Sequence, residues 1–310
     1  MISVLQPGMF TTVQDLGREG FGPMGVSPSG AADAMSLRVG NLLVGNVPSA
    51  AGLEMTLLGG TFLFPEGATV SLAGSDFGAT LDGAAVGMWT PLELRPGQTL
   101  QVGATRGGAR CYLCVRGGIS VEPFLGSAST HVLSGLGGFN GRALQKGDVL
   151  AVGKQRQISW SKRLSGAALA MLAPRTILRV TPGPQLHWFD MPAQELFEEG
   201  VYRVTEEANR MGLRLAGPAI TRSNSRELIS EGVALGAVQI PESGQPIILF
   251  VEQQTAGGYP KIANVISADF HSLGQLRPRD EMLFEMVSFE TARKLFIVQE
   301  ALLASEGLFT

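Results

Sequence analysis

Residues 253–261 place polar side chains, a glycine pair and a lysine between two apolar segments, 246–251 and 262–266. The two apolar segments are rich in β-branched residues, which predicts a buried strand on each side of the run. Gly257 and Gly258 can adopt a positive φ and bring the backbone close to a ligand. The pair then either supplies backbone donors to an oxyanion or forms a tight hairpin turn.

Four side chains of this run are suited to binding a small molecule, and each has a structural alternative. Lys261 can pair with a substrate carboxylate or phosphate, or it is a solvated surface lysine. Gln254 and Thr255 are uncharged donors and acceptors of the kind that orient an amide or lactam. Tyr259 either stacks on or donates to a ligand, or packs in the core.

A second group of candidates lies at 209–214. Asn209, Arg210 and Arg214 place two guanidinium groups close together in the sequence, and arginine is the side chain best shaped for bidentate capture of a carboxylate or phosphate. The alternative is a set of salt bridges to Glu206 or Glu207. Both interpretations stay open at this point.

Three further polar residues are candidates for substrate contact or catalysis. Glu231 stands between a serine and a glycine, so it is either a general base on a loop or a solvated loop acid. Ser29 and Asp33 open a helix predicted over residues 29–44. Ser29 is therefore a helix cap or a site residue, and Asp33 either complements the helix dipole or contacts the ligand.

Composition and charge exclude several classes of protein. The chain has 310 residues, is 45% hydrophobic and carries a formal net charge of -3 with scattered basic residues, which gives no footprint for nucleic acid or an anionic membrane. The first residues lack a basic region followed by an uninterrupted apolar core, and the uncharged stretch 123–141 is broken by glycine and serine. We expect a soluble, cytoplasmic protein of two domains.

The 41 glycines, 17 prolines and 7% aromatic residues predict many short strands joined by tight turns, and hence a mainly β fold. Two helices are predicted, over 29–44 and from Ser288 to about Leu303. Two pairs of segments are similar in sequence, residues 2–8 with 178–183 and residues 144–150 with 276–283. These two sequence echoes suggest duplication of a barrel-like unit. A linker is expected near 154–176, so that the first domain covers 1–175 and the second 176–310.

Several catalytic and cofactor motifs are missing. There is no phosphate-binding P-loop and no Gly-x-Ser-x-Gly elbow, and the glycine-rich run 135–141 fails the dinucleotide fingerprint because Asn140 occupies the third glycine position. Cys111 and Cys114 face opposite sides of a predicted strand and the histidines are isolated, so no metal site is expected. Without a Met-Lys-Met tripeptide, no covalent biotin is expected. Carboxylates, lysine, tyrosine and backbone dipoles must therefore carry any catalysis.

The ordered motifs of the chain resemble those of one family, which comprises allophanate hydrolase subunit 2, the C subunit of 5-oxoprolinase, the KipI antagonist and the carboxyltransferase domain of urea carboxylase. The match covers nearly the whole sequence. It is carried by residues 11–18, 29–33, 43–46, 115–119, 125–130, 209–218, 230–232, 239–241 and 254–263. One position departs from the family pattern, because Glu252 stands where the family usually shows Asp, which keeps the charge of the carboxylate but changes its reach.

The resemblance implies two cyclophilin-like β-barrels and a role in the ATP-dependent opening of 5-oxoproline to glutamate. It implies a partner of the subunit 1 or KipI type, which is the B subunit of 5-oxoprolinase, and a third component, the A subunit, with ATP bound through the complex. On the matched motifs, Glu231, Glu252 and Lys261 are the expected catalytic residues, and Gln239 joins the expected substrate contacts. The alternatives are a regulatory protein that antagonises a KipI-type kinase inhibitor, or a carboxyltransferase component that uses biotin carried on another chain.

Overall fold

The computed structural model describes residues 1–154, 163–224 and 226–310. The chain forms two compact units. The first comprises Met1–Arg18, Ser29–Leu172 and Leu302–Thr310, and the second comprises Glu19–Pro28 and Ala173–Ala301. Most of the regular structure in both units is β-strand, as the glycine-rich and proline-rich composition predicts.

The strands of the first unit fall into two sheets. They are β1 (Ile2–Gln6), β2 (Phe10–Gln14), β3 (Gly52–Thr56), β4 (Thr61–Phe64), β5 (Ala68–Gly74), β6 (Thr80–Leu81), β7 (Ala84–Ala85), β8 (Pro91–Leu94), β9 (Gln98–Gln101), β10 (Arg110–Val115), β11 (Ile119–Ser120) and β12 (Val149–Val152). One sheet has the order β11-β12-β1-β4-β9-β6-β7, and the other has the order β2-β3-β10-β5-β8. Both contribute to one hydrophobic core, with Ile2, Phe62 and Leu100 from the first sheet and Leu53 and Leu113 from the second.

The strands of the second unit close into a barrel. They are β13 (Ile177–Pro182), β14 (Tyr202–Val204), β15 (Gly212–Ala216), β16 (Glu231–Gly232), β17 (Ala237–Gln239), β18 (Ile247–Leu249), β19 (Ala256–Gly257), β20 (Lys261–Val265) and β21 (Glu281–Met286). The barrel has the order β13-β20-β17-β18-β15-β14-β21, while β16 and β19 form a separate two-stranded sheet. The mainly β prediction is confirmed, with a closed barrel in the second unit and a two-sheet arrangement in the first.

Helices are few and short. They are α1 (Ala34–Leu43), α2 (Gly166–Leu172), α3 (Met191–Glu199), α4 (Phe270–Gln275) and α5 (Phe289–Leu303). The prediction that Ser29 caps the first helix is wrong, because α1 begins at Ala34 and its cap is Asp33, whose carboxylate accepts a hydrogen bond from the Ser36 amide at 2.9 Å. Ser29 instead has a φ of 54° in the loop before the helix. Asp33 therefore satisfies a free amide of the first turn.

Part of the segment predicted as a linker is a helix. Residues 155–162 lie outside the described residues, but α2 follows them, and its Ala168 and Leu172 are buried in a cluster with Met35, Val39 and Leu43. In contrast, the helix predicted from residue 288 is present as α5 but buries little of its apolar side. Phe296 and Val298 are exposed, and Gln299 is the buried residue of the helix.

The second of the two sequence echoes corresponds to one turn that occurs in both units. In the first unit the Asp148 carboxylate accepts from the Gln145 amide at 2.7 Å, and in the second the Asp280 carboxylate accepts from the Arg277 amide at 2.8 Å. The first echo is not a structural equivalence, because β1 runs antiparallel to β12 whereas β13 runs parallel to β21. The backbone carbonyls of the two aspartates instead accept from Val4 in β1 and from Val204 in β14.

Within the described ranges, no helix combines the length and the apolar composition needed to cross a bilayer.

Candidate functional site

Lys261 is the most unusual charged residue of the barrel. It opens β20, which is paired with β13 on one side and β17 on the other, so its backbone is held in the interior of the sheet. Its side chain is only 5% exposed, and its ammonium lies 2.5 Å from a carboxylate oxygen of Glu231. The alternative of a solvated surface lysine is therefore not what the structure shows. A lysine so deeply buried requires a counter-ion to stay charged.

Glu231 reaches this lysine through the small β16–β19 sheet. Glu231 is the register partner of Gly257, so the glycine pair of residues 253–261 and the candidate base are joined by backbone pairing. The Glu231 side chain is 43% exposed. The ammonium of Lys261, followed by the carboxamide of Gln185, lowers the pKa of Glu231 below its ordinary value by hydrogen bonding to the ionised form.

Gln185 also belongs to this site, although it lies outside the sequence motifs from which the site was predicted. Its carboxamide nitrogen donates to Glu231 Oε1 at 2.9 Å, and its carboxamide oxygen accepts from the backbone amide of Lys261 at 3.1 Å. The preceding Gly183 allows this contact, since a Cβ there would lie 2.3 Å from the carbonyl oxygen of Lys261. In the sequence, a glycine between two prolines at the end of a strand, Pro182-Gly183-Pro184, indicates that another backbone segment lies close to this glycine.

Gly257 and Gly258 do not adopt a positive φ, so the reason expected for them is wrong. Gly257 is instead required by close packing: a Cβ at this position would lie 2.6 Å from the carboxamide nitrogen of Gln254 and 2.8 Å from that of Gln239. A Cβ at Gly258 would have the Leu228 carbonyl oxygen as its nearest neighbour, at 3.2 Å. Two glutamine side chains therefore converge on the backbone of Gly257.

A cleft of about 150 Å³ opens beside these glutamines in the second unit. It is lined by Asn209, Met211, Gly212, Arg214, Gln239, Ile247, Leu249, Gln254 and Tyr259. This volume is below the roughly 300 Å³ at which pockets for drug-sized ligands begin. The size of the cleft therefore suits a ligand such as a small metabolite.

The cleft collects five of the predicted substrate contacts, but they differ in how they are held. Tyr259 is 47% exposed, so the alternative of a core tyrosine does not apply. Asn209 uses its side-chain oxygen to accept from the Met211 amide at 2.8 Å, which fixes the turn before β15. Arg214 lies on β15 and makes an exposed ion pair with Glu207 at 3.6 Å. Such exposed pairs are weak, so Arg214 can exchange its partner for a ligand.

Arg210 and Glu252 are paired with each other. The guanidinium Nε of Arg210 lies 2.5 Å from Glu252 Oε1, both side chains are buried, and the Glu252 amide donates to the Arg210 carbonyl. Glu252 was predicted as a catalytic residue and Arg210 as a substrate contact, and the structure places neither of them in the lining of the cleft. Their geometry is that of an ion pair that joins β15 to the segment after β18.

The other predicted site residues, including Lys261 and Glu231, are not among the residues that line the cleft. Thr255 is half-buried, and its carbonyl accepts from the Val233 amide beside the β16–β19 sheet. Ser29 and Asp33 belong to the first unit. There Asp33 caps α1, and the buried hydroxyl of Ser29 has no hydrogen-bond partner among the described residues.

The first unit holds its own buried carboxylate, that of Glu54. One oxygen of Glu54 accepts from the Tyr112 hydroxyl at 2.7 Å and from the Ala32 amide at 2.8 Å, while the other lies 3.6 Å from the Arg110 guanidinium. The Tyr112 hydroxyl in turn accepts from the Asp33 amide at 2.8 Å. Burial, together with the charge of Glu54, raises the pKa of Tyr112 well above its ordinary value. This network fixes the loop that leads into α1.

Comparison with known proteins gives consistent matches over most of the chain. Residues 24–286 match a family described as carboxyltransferase domain, subdomain A and B. The chain is 40% identical to the C subunit of 5-oxoprolinase from Escherichia coli, over 95% of this chain and 94% of that protein. It is 35% identical to the C subunit of 5-oxoprolinase from Haemophilus influenzae, over 95% and 94%. A solved structure of the Kluyveromyces lactis urea amidolyase superposes with a TM-score of 0.91 at 32% identity, covering 97% of this chain but only 20% of that one.

Proposed function

The chain belongs to the family of carboxyltransferase domains with subdomains A and B, and from this membership we propose that it is one subunit of a multi-component hydrolase that opens 5-oxoproline to glutamate. Two relatives that it matches nearly end to end are named as the C subunit of 5-oxoprolinase. The observation that carries the proposal is the pairing of the buried Lys261 with the half-exposed Glu231, where Lys261 is the cross-strand partner of Gln239 in the lining of a cleft of metabolite size.

The reaction explains why such a pair is useful. Water adds its oxygen to the lactam carbonyl carbon, the carbon–nitrogen bond breaks, and the nitrogen leaves with a proton as the amine of glutamate. Negative charge develops on the carbonyl oxygen on the way, so a fixed cation in a site of low polarity lowers the barrier. In the proposed mechanism the Lys261 ammonium supplies this positive charge, and Glu231 keeps the lysine protonated and exchanges protons with solvent.

Gln239 connects the ion pair to the cleft. It is the register partner of Lys261 between β17 and β20, so the two side chains are neighbours across the strands. Gln185 holds the pair from the opposite direction through Glu231 and the Lys261 backbone. A substrate bound in the cleft would therefore lie next to the cation without displacing it from its support.

ATP and the partner proteins are the remaining components of the proposed enzyme. The sequence has no P-loop. We therefore place the ATP-dependent step elsewhere in a cytoplasmic complex, with a subunit 1 or KipI-type partner (the B subunit of 5-oxoprolinase) and the A subunit of the same enzyme. ATP hydrolysis would supply the driving force for opening a stable amide, while this chain binds and polarises the lactam.

A second candidate function is favoured by the structural likeness to urea carboxylase. The solved Kluyveromyces lactis urea carboxylase superposes with a TM-score of 0.90 at 33% identity, and the chain spans 29% of that protein. In this alternative, the chain transfers a carboxyl group from biotin carried on another chain to an amide nitrogen. A buried cation beside the substrate amide would serve this reaction as well.

Reconstitution separates these functions. The purified chain is mixed with the A and B subunits of 5-oxoprolinase, and glutamate formation from 5-oxoproline and ATP is followed; we expect glutamate only when all components are present. Carboxylation of an amide by a biotin carrier without lactam opening would establish the second candidate instead. A tight complex that forms neither product would overturn both and leave the regulatory role of a KipI antagonist.

A further inference from the structure

Gln239 carries a buried hydrogen-bond donor that none of the described residues accepts. The residue is 1% exposed, and its carboxamide nitrogen has no hydrogen-bond partner among the described residues. Leaving such a group unpaired is unfavourable, and folded proteins contain few of them. An unpaired donor at the edge of a cleft is therefore a candidate for pairing with a ligand.

The strands fix where this donor lies. Gln239 ends β17, and its backbone is paired with Ile247 of β18 and with Lys261 of β20. Its carboxamide nitrogen lies within 2.8 Å of the place that a Cβ on Gly257 would occupy. The absence of a side chain at Gly257 thus keeps this space open, and Gln239 is one of the residues that line the cleft.

The other walls of the cleft limit the chemistry of the ligand. Ile247, Leu249 and Met211 supply apolar surface, while Arg214 supplies a cation that is held by an exposed ion pair with Glu207. A ligand that is complementary to these lining residues carries an acceptor oxygen for Gln239, an apolar body and an anionic group for Arg214. Small carboxylates that also contain an amide or lactam carbonyl have this combination.

We propose that Gln239 determines substrate specificity by donating a hydrogen bond from its carboxamide nitrogen to the carbonyl oxygen of a small amide or lactam, with Arg214 pairing with the carboxylate of the same molecule. The identity of the ligand as 5-oxoproline rests on the proposed function. Gln239 is a recognition residue in this arrangement, whereas Lys261, its cross-strand neighbour, polarises the bound carbonyl.

Gln239 differs from the second glutamine of the cleft in its access to water. Gln254 also approaches Gly257, with its carboxamide nitrogen 2.6 Å from the same Cβ position, but its side chain is exposed. Water can satisfy the Gln254 carboxamide when the cleft is empty, so a ligand gains little by replacing that water. Gln239 is buried, so a ligand oxygen that pairs with it removes an unpaired donor, and selectivity for a carbonyl is the consequence.

The test compares 5-oxoproline with cyclopentanecarboxylate, which has a five-membered ring and a carboxylate but no carbonyl oxygen on the ring and, unlike proline, no charged amine. Binding of each compound to the assembled complex is measured by equilibrium dialysis without ATP, for the wild type, Gln239→Leu and Gln239→Glu. We expect the wild type to prefer 5-oxoproline, and both variants to lose about tenfold or more of that preference. Gln6→Leu changes an exposed glutamine of the first unit and is the matched control.

The outcomes for the Gln239 variants are independent of turnover. A loss of preference in both variants, with thermal unfolding unchanged, supports the role of Gln239 whether or not the complex then forms glutamate. If the wild type shows no preference for the carbonyl compound, or if either folded variant retains it, the inference is overturned. If the Gln239→Leu complex forms glutamate and still prefers 5-oxoproline, the proposed function stands and the role of Gln239 is overturned.

Discussion

Each unit of the chain contains a carboxylate paired with a cation, and the two pairs are buried in opposite ways. In the first unit the Glu54 side chain is fully buried and is surrounded by Tyr112, the Ala32 amide and Arg110. In the second unit the cation is the buried partner, because Lys261 is 5% exposed while Glu231 is 43% exposed. Glu54 is thus closed off from solvent, and Glu231 is open to it.

The difference distinguishes a network closed to solvent from an ion pair that is open to it on one side. The hydrogen bonds to Glu54 come from groups on β10 and from the loop before α1, so they hold elements of the fold together. The Lys261–Glu231 pair connects the barrel to a two-stranded sheet and leaves the Glu231 side accessible to water. A buried charge with a solvent-accessible partner beside a cleft is typical of a functional site.

The largest expected effect is on turnover, through Lys261. Lys261→Met keeps a long apolar stem but removes the charge, so the developing oxyanion loses its fixed cation. We expect glutamate formation by the reconstituted complex to fall by about 10²–10⁴-fold, with the partner complex still assembled in size-exclusion chromatography.

Lys294→Met is the matched control, because Lys294 makes an exposed ion pair with Glu290 at 2.7 Å on α5. We expect less than about 0.5 kcal/mol of change in stability and no change in turnover from this variant. Equal turnover in the Lys261 and Lys294 variants would remove Lys261 from the site.

The next largest effect is on stability, and here the larger change is expected in the first unit. Glu54→Gln removes a fully buried charge that faces Arg110, so the free energy of unfolding should fall by about 3 kcal/mol. Lys261→Met combined with Glu231→Gln, which removes both charges of the second pair, should cost only about 1 kcal/mol, because no buried charge is then left unpaired and water can replace the half-exposed carboxylate. Urea denaturation of the two variants measures both values. A larger loss for the double variant than for Glu54→Gln would show that the second pair is also structural.

A smaller effect is expected from filling the space above Gly257. In Gly257→Ala the new methyl group would press on the carboxamides of Gln254 and Gln239, which are flexible ends that can move aside. We expect a cost of about 1 kcal/mol in the affinity of the complex for 5-oxoproline, or roughly fivefold in KM. Gly258→Ala, with its nearest neighbour at 3.2 Å, should change KM less. A larger change in KM for Gly258→Ala than for Gly257→Ala would contradict the assigned position of the cleft.

The sequence predicted this site where its parts are close along the chain. Residues 253–261 were expected to form a ligand turn between two strands, and the structure places β18 before it and β20 after it. Composition likewise predicted a mainly β fold, because glycine and proline act through local backbone preferences. The turn shared by residues 145–148 and 277–280 was also visible, since its hydrogen bonds lie within four residues.

What the sequence did not reveal depends on contacts between distant segments. Gln185 lies 76 residues before Lys261, and only the pairing of β13 with β20 brings them together. Arg210 was predicted as a substrate contact and Glu252 as a catalytic residue, because nothing local indicates that they pair across 42 residues. The first echo failed for the same reason: matching residue types in β1 and β13 do not determine the direction of the neighbouring strand.

The smallest expected effect is the titration of Glu231, and it tests the ion pair directly. The Lys261 ammonium lowers the pKa of Glu231, so the folded value lies below the unfolded one. The pair therefore contributes its full stability above the unfolded pKa and loses it as the pH falls through the folded pKa. In Lys261→Met the pKa of Glu231 should move back up, which a 13C NMR titration of the carboxylate detects. Gln185→Leu should give a smaller upward movement, because its carboxamide is the weaker of the two donors. An unshifted pKa in Lys261→Met would mean that the carboxylate and the ammonium do not interact in solution, and the contrast between an enclosed Glu54 and a paired, open Glu231 would then no longer hold.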